Sequence, residues 1–222
     1  MKKFLPIGLI FLFLILLGGI ALFRKENSEK LSEKGGEVVN SKFKMQNPKL
    51  EKRVLFIVAP QNFRDEEYQK PRQILEAAGW QVEVASKGVN EAVGMFGAKA
   101  KIDKDISQVN IDDYLGVVFV GGTGAAVYFE DQNALSLAKT AFEKSKVVGA
   151  ICIAPSILAN AGILQGRKAT AFSSEQENLT LRGAKYTGEP VTVDGKIVTA
   201  NGPGAAEEFG KKLADVLENK LG

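Results

Sequence analysis

Val147-Val148-Gly149-Ala150-Ile151-Cys152-Ile153-Ala154-Pro155 decides how the chain reads. Its apolar and small residues, up to Cys152, suit a short strand buried on both faces. Pro155 suits the first turn of a helix, which the pattern carries to Ala161 before Gly162 ends it. Cys152 therefore sits at a strand-to-helix turn among small residues, where a nucleophile can project from the top of a sheet. A helix N-terminus beside it would favour the thiolate. The competing reading is a buried core cysteine, since Cys is among the most buried residue types.

The same grammar extends in both directions. Arg53 to Ala59 and Leu115 to Val120 are continuous apolar runs, and Gln81 to Ala85 is a further strand. Helices are expected from Glu66 to Ala78, from Asn133 to Lys144 and, as a closing amphipathic helix, from Ala205 to Leu221. Val191 to Thr199 reads as a hairpin turning at Asp194-Gly195. Strands alternating with helices at this spacing imply an α/β fold: a mostly parallel central sheet with helices on both faces.

In such sheets, ligands gather beyond the carboxyl ends of the strands. Pro60 to Glu67, Gly121 to Gly124 and Cys152 to Pro155 all fall at such ends. Phe63, Glu67, Pro71, Ile74, Leu75 and Ala78 share one helix face, so Glu67 points inward and Glu66 toward solvent. An inward carboxyl needs a partner. Kept protonated by burial, it could donate a hydrogen bond to a thiolate and lower the thiol pKa. Alternatively, it is a helix-start glutamate favoured by the dipole. Gly121-Gly122-Thr123-Gly124 lets backbone N–H groups point into the site and, with the N–H of Ile153, could form an oxyanion hole. No Gly-Lys-Ser/Thr follows, so it is not a phosphate-binding P-loop.

Composition removes several classes of chemistry. The chain has no histidine, which excludes imidazole bases and His-ligated metals. One cysteine excludes an internal disulfide and a multi-cysteine metal site. No acidic cluster has metal-ligand spacing, and neither a metal nor a cofactor is expected. The net charge of +3 is too small and too concentrated toward the N-terminus to mark a nucleic-acid surface.

Three segments are expected. Met1 to Phe23 pairs Lys2-Lys3 with an apolar run of the length needed to span a bilayer, and reads as a single-pass N-terminal transmembrane helix. A secretory signal cut after Gly19 and Ala21 is the alternative. Lys2 and Lys3 favour an extracytoplasmic domain, although Arg24 and Lys25 weigh against that orientation. Residues 24–51 have the composition of a polar linker, and residues 52–222 form the α/β domain.

Val54-Leu55-Phe56-Ile57 with Asn62-Phe63 to Glu67, Val120-Gly121-Gly122-Thr123-Gly124-Ala125, Ala150 to Pro155 with Leu158 to Leu164, and Asn201 to Phe209 together resemble the DJ-1/PfpI family of the class I glutamine amidotransferase-like superfamily. The resemblance implies a flavodoxin-like sandwich with a nucleophile-elbow cysteine. It places Cys152 at the family's reactive cysteine, Glu67 at the glutamate that hydrogen-bonds it, and Gly122 and Ile153 at the backbone donors near the sulfur. It also implies a homodimer. Two departures stand out. Ile153 occupies the place of the histidine that follows the cysteine in the protease-like branch. Ala171-Phe172-Ser173 lacks the histidine of the glyoxalase and deglycase branch. A Cys-His peptidase is thereby disfavoured. The expected function is a cysteine-dependent glyoxalase or deglycase activity on small carbonyl compounds. The alternatives are a redox-sensing protein whose Cys152 meets an oxidant, or a chaperone-like binding module.

Overall fold

The computed structural model describes residues 52–219. β1 (Arg53–Ile57) leads through β2 (Gln61–Phe63) into α1 (Asp65–Ala77). β3 (Gln81–Ser86), the hairpin of β4 (Glu91–Gly94) and β5 (Lys99–Lys101), and β6 (Lys104–Asp105) follow. β7 (Gly116–Phe119), α2 (Gln132–Glu143), β8 (Val147–Ile151) and α3 (Pro155–Asn160) form the middle of the chain. After these come β9 (Lys168–Ala169), α4 (Gln176–Leu181), β10 (Lys185–Tyr186), the hairpin of β11 (Val191–Asp194) and β12 (Ile197–Ala200), and α5 (Ala206–Glu218).

The central sheet has seven strands in the order β11-β12-β8-β7-β1-β3-β6. All pairings are parallel except β11 with β12. From β1 the chain first moves outward to β3, then returns to place β7 on β1's other side. The crevice between β1 and β7 is thus a topological switch point, where such sheets hold their ligands.

Period-two alternation sorts the strand side chains into two cores. Leu55, Ile57, Val117, Phe119, Val148 and Ala150 face Tyr114, Leu137 and Leu158. Val54, Phe56, Val118, Val147 and Ile151 face Phe63 at the end of β2 and Leu75, Phe209 and Leu213 of the layer formed by α1 and α5. Burying each large side chain in these layers contributes about 1.5–3 kcal/mol, which is why the apolar runs are continuous rather than alternating.

Two expectations are corrected. The expected hairpin turn at Asp194-Gly195 lies one residue later. Asp194 pairs with Ile197, leaving Gly195-Lys196 as the loop, and Gly195 supplies the positive φ of 61°. The expected preceding transmembrane helix finds no support: no described helix is long and apolar enough to cross a membrane. α1 and α5, with 13 residues each, extend about 20 Å against a hydrocarbon core of roughly 30 Å. Met1 to Phe23, on which the spanning helix rested, and the 24–51 linker lie outside the described residues. The membrane partnership inferred from that helix is likewise unsupported among the described residues.

Candidate active site

β8 delivers Cys152 to the end of the sheet, and α3 starts three residues later with Pro155 in its first turn. Between them Cys152 adopts φ 65°, one of three non-glycine residues with positive φ among those described. A non-glycine residue held there costs on the order of 1–3 kcal/mol and persists only where its surroundings over-determine it. Here both backbone groups are pinned. The Cys152 N–H donates to the Ala200 carbonyl at 2.9 Å, and its carbonyl accepts the Phe172 N–H at 2.8 Å. Cys152 as a whole is half-buried at this turn.

α1 brings Glu67 to the same point, fully buried. The glycine turn after β7 separates the two side chains only by the absence of a side chain of its own. A Cβ on Gly121 would lie 2.4 Å from Glu67 Oε2 and 2.6 Å from the Cys152 Cβ. The Arg64 N–H donates to the Gly121 carbonyl at 3.0 Å, tying the start of α1 to the turn. Gly122, at φ 93°, has backbone of residues 62–64 crowding its Cα so closely that no side chain would fit. Its N–H and that of Ile153 face the Cys152 sulfur. The four residues singled out from the sequence thus come together around one sulfur atom.

The electrostatics follow from burial. Burial pushes the Glu67 carboxyl up to about 8, against smaller opposing effects from the Cys152 thiol, Arg64 and the Gly121 N–H. Neither carboxyl oxygen makes a well-formed hydrogen bond; Cys152 and the Gly121 N–H are its polar neighbours. A buried carboxyl so poorly solvated holds its proton. Burial also pushes the Cys152 thiol up to about 12, reinforced by the Glu67 charge and opposed by the Gly122 and Ile153 N–H groups. This reverses the sequence expectation of a thiol lowered by a helix N-terminus. α3 has only six residues, and desolvation of the sulfur outweighs any contribution from its end. The two groups compete for protons as one unit. A proton on Glu67 replaces the carboxylate's repulsion with an O–H that can donate to sulfur.

Sequence reading missed three neighbours. Asp65, buried, accepts the N–H groups of Phe96 at 3.0 Å and Ala98 at 2.7 Å, latching the β4–β5 hairpin onto the start of α1. Arg64 is held by Glu66 through contacts of 2.7 and 3.2 Å and lies over the Phe96 ring at 4.6 Å. The third is an open cavity of about 320 Å³ beside the elbow, walled by Phe172, Ser173, Tyr186 and Asn201 to Gly204. The signal for Asp65 was present as an acidic residue in the first helical turn, but its partners lie more than 30 residues away. Among the described residues no group of three or more His, Cys, Asp or Glu could hold a metal.

Comparison with known proteins places this geometry. The DJ-1/PfpI family model matches residues 52–216. An uncharacterised protein of Methanocaldococcus jannaschii is 41% identical over 184 residues, covering 82% of this chain and 89% of the relative. Deglycase PfpI of Pyrococcus furiosus is 31% identical over 166 residues, covering 75% and 99%. Among solved structures, a ThiJ/PfpI domain protein of Brachyspira murdochii is similar with a TM-score of 0.74 and 35% identity, covering 75% of this chain and 96% of that one. Drosophila melanogaster DJ-1beta is similar with a TM-score of 0.69 and 28% identity, covering 77% and 93%. With the family model matched over residues 52–216, nearly the whole α/β domain, the chain belongs to the DJ-1/PfpI family.

Proposed function

We propose that this protein detoxifies or repairs small reactive carbonyls, with Cys152 as nucleophile and Glu67 as proton carrier. Family membership and relatives named deglycases support a DJ-1-like protective or deglycase role. The observation that carries the finer reading is the convergence of a buried, proton-holding Glu67 and a strained Cys152 on Gly121.

The chemistry runs without histidine. The Cys152 sulfur adds to the aldehyde carbon of a 2-oxoaldehyde such as methylglyoxal, and the thiol proton passes through Glu67 to the aldehyde oxygen, giving a hemithioacetal. The Glu67 carboxylate then takes the hydrogen from that carbon, an enediol forms, and the proton returns to the former ketone carbon. This internal redox exchange leaves a thioester of lactic acid and needs no external oxidant. Water cleaves the thioester, releasing lactate and restoring the thiol. A carboxyl raised to about 8 by burial can both accept and return a proton near neutral pH. The N–H groups of Gly122 and Ile153 are the donors for charge that develops on oxygen.

The test is lactate formation from methylglyoxal by the wild type and by Cys152→Ala. A rate at least about 100-fold lower in the variant is expected for loss of the nucleophile; equal rates would remove the proposal. A peroxide sensor based on a low-pKa thiolate is less well supported, because burial drives this thiol upward.

A further inference from the structure

The start of α1 has no local cap. Its N-cap residue is Arg64, whose guanidinium has no acceptor for the first helical N–H groups. Bonds from outside the helix fix its position instead. The Phe63 carbonyl accepts the Met95 N–H at 2.8 Å, and the Arg64 N–H donates to the Gly121 carbonyl at 3.0 Å. Asp65, in the first turn, accepts the Phe96 N–H on one oxygen at 3.0 Å and the Ala98 N–H on the other at 2.7 Å. Bonds to a charged acceptor are about twice as strong as neutral ones, so Asp65 is the main tie to the β4–β5 loop.

The grip is close. Asp65 is buried, and a Cβ on Gly94 would lie 2.7 Å from its Oδ2 and 2.8 Å from its Oδ1. The Gly94 N–H donates to the Ala98 carbonyl at 2.7 Å and closes the loop around the carboxylate. The Arg64 guanidinium, 4.6 Å over the Phe96 ring, adds a second contact from the same segment to the same loop. Glu67 lies two residues beyond Asp65 in the same helical turn, so a displacement of Asp65 passes to it. There is little slack at the far end, because a Cβ on Gly121 would collide with both Glu67 and Cys152. A misplacement of 1 Å in such a site can cost about 100-fold in rate.

We infer that Asp65 is a positioning residue: by gripping the β4–β5 loop it sets where α1 begins and so holds Glu67 against Cys152. The inference rests on Glu67 being the proton carrier, but its main test reads that carboxyl directly. The full-length protein is labelled with 13C at the glutamate carboxyls, Glu67→Gln identifies the Glu67 signal, and the signal is titrated. The wild-type midpoint is expected near pH 8. The charged or titrating groups around Glu67 are Arg64 and Glu66 beside it and Cys152 of the elbow. Asp65→Asn keeps one acceptor and loses the other. It should lower the midpoint by about one pH unit or more as water reaches the carboxyl, and slow lactate formation about 10- to 100-fold with KM nearly unchanged. Gly94→Ala crowds the same carboxylate without removing its charge, and should act alike where a purely Coulombic effect of Asp65 would not. Asp131→Ala removes a comparable carboxylate cap from the start of α2. It should lower the urea midpoint and leave the Glu67 signal in place. A Glu67 midpoint unmoved by Asp65→Asn or by Gly94→Ala, or moved equally by Asp131→Ala, would overturn the positioning role. A moved midpoint with lactate formation unchanged or absent would instead overturn Glu67 as proton carrier and, with it, the catalytic meaning of its position.

Discussion

At the scale of single residues, Glu67 and Cys152 are a matched pair set by burial. Glu67 was legible from the sequence, because helical spacing put it on the same face as Phe63, Pro71 and Leu75, all of which are buried. The direction of the thiol's shift was not legible. It depends on how deeply the sulfur is desolvated, and on a helix too short to offset that. If Glu67 is the base, kcat/KM for methylglyoxal should rise with pH, reach half its plateau near pH 8, where burial places its titration, and level off above that. A profile that is flat from pH 6 to 9 would remove Glu67 from that role.

At the scale of elements, the site depends on how closely the glycine turn, α1 and the elbow approach. Gly121→Ala puts a methyl group where Glu67 and Cys152 already meet. Overpacking of this kind costs about 1–3 kcal/mol. Urea unfolding should show that loss, together with slower alkylation of Cys152; unchanged stability and reactivity would mean that the approach is looser than described. The α1–α5 layer is the support behind α1. Phe209→Ala removes a fully buried ring from that layer and should cost about 3–5 kcal/mol by the same measurement.

The main strands were readable because β1, β7 and β8 are apolar on both faces and need no long-range information. The β2-β4-β5 sheet was not readable. Its strands have three or four residues, and Gln61 finds its partner Val93 only through the tertiary fold. Asp65 was missed for the same reason, since its role exists only once the hairpin is latched. The turn at Gly195-Lys196 was misplaced by one residue because Asp-Gly is a strong local turn signal, whereas the register is set by β12 pairing with β8.

At the scale of the whole molecule, a buried neutral carboxyl links folding to pH. The folded Glu67 binds its proton up to about 8, whereas an unfolded glutamate releases it near 4.5. Between these values the native state holds more protons. Its stability is therefore full below about pH 4.5 and falls as pH rises toward 8, by no more than about 1.4 kcal/mol per unit. Glu67→Gln removes this dependence while leaving other titrating groups in place. Urea midpoints at pH 5 and pH 8 should therefore differ more in the wild type than in the variant; equal differences would mean that Glu67 is not held neutral.

The division of labour within the pair is the central claim, and Glu67→Gln tests it most directly when lactate formation from methylglyoxal and Cys152 alkylation are measured on the same sample. The neutral amide can still donate to sulfur but cannot carry a proton. Alkylation should persist while lactate formation falls about 100-fold or more. Lactate formation at the wild-type rate would contradict the claim.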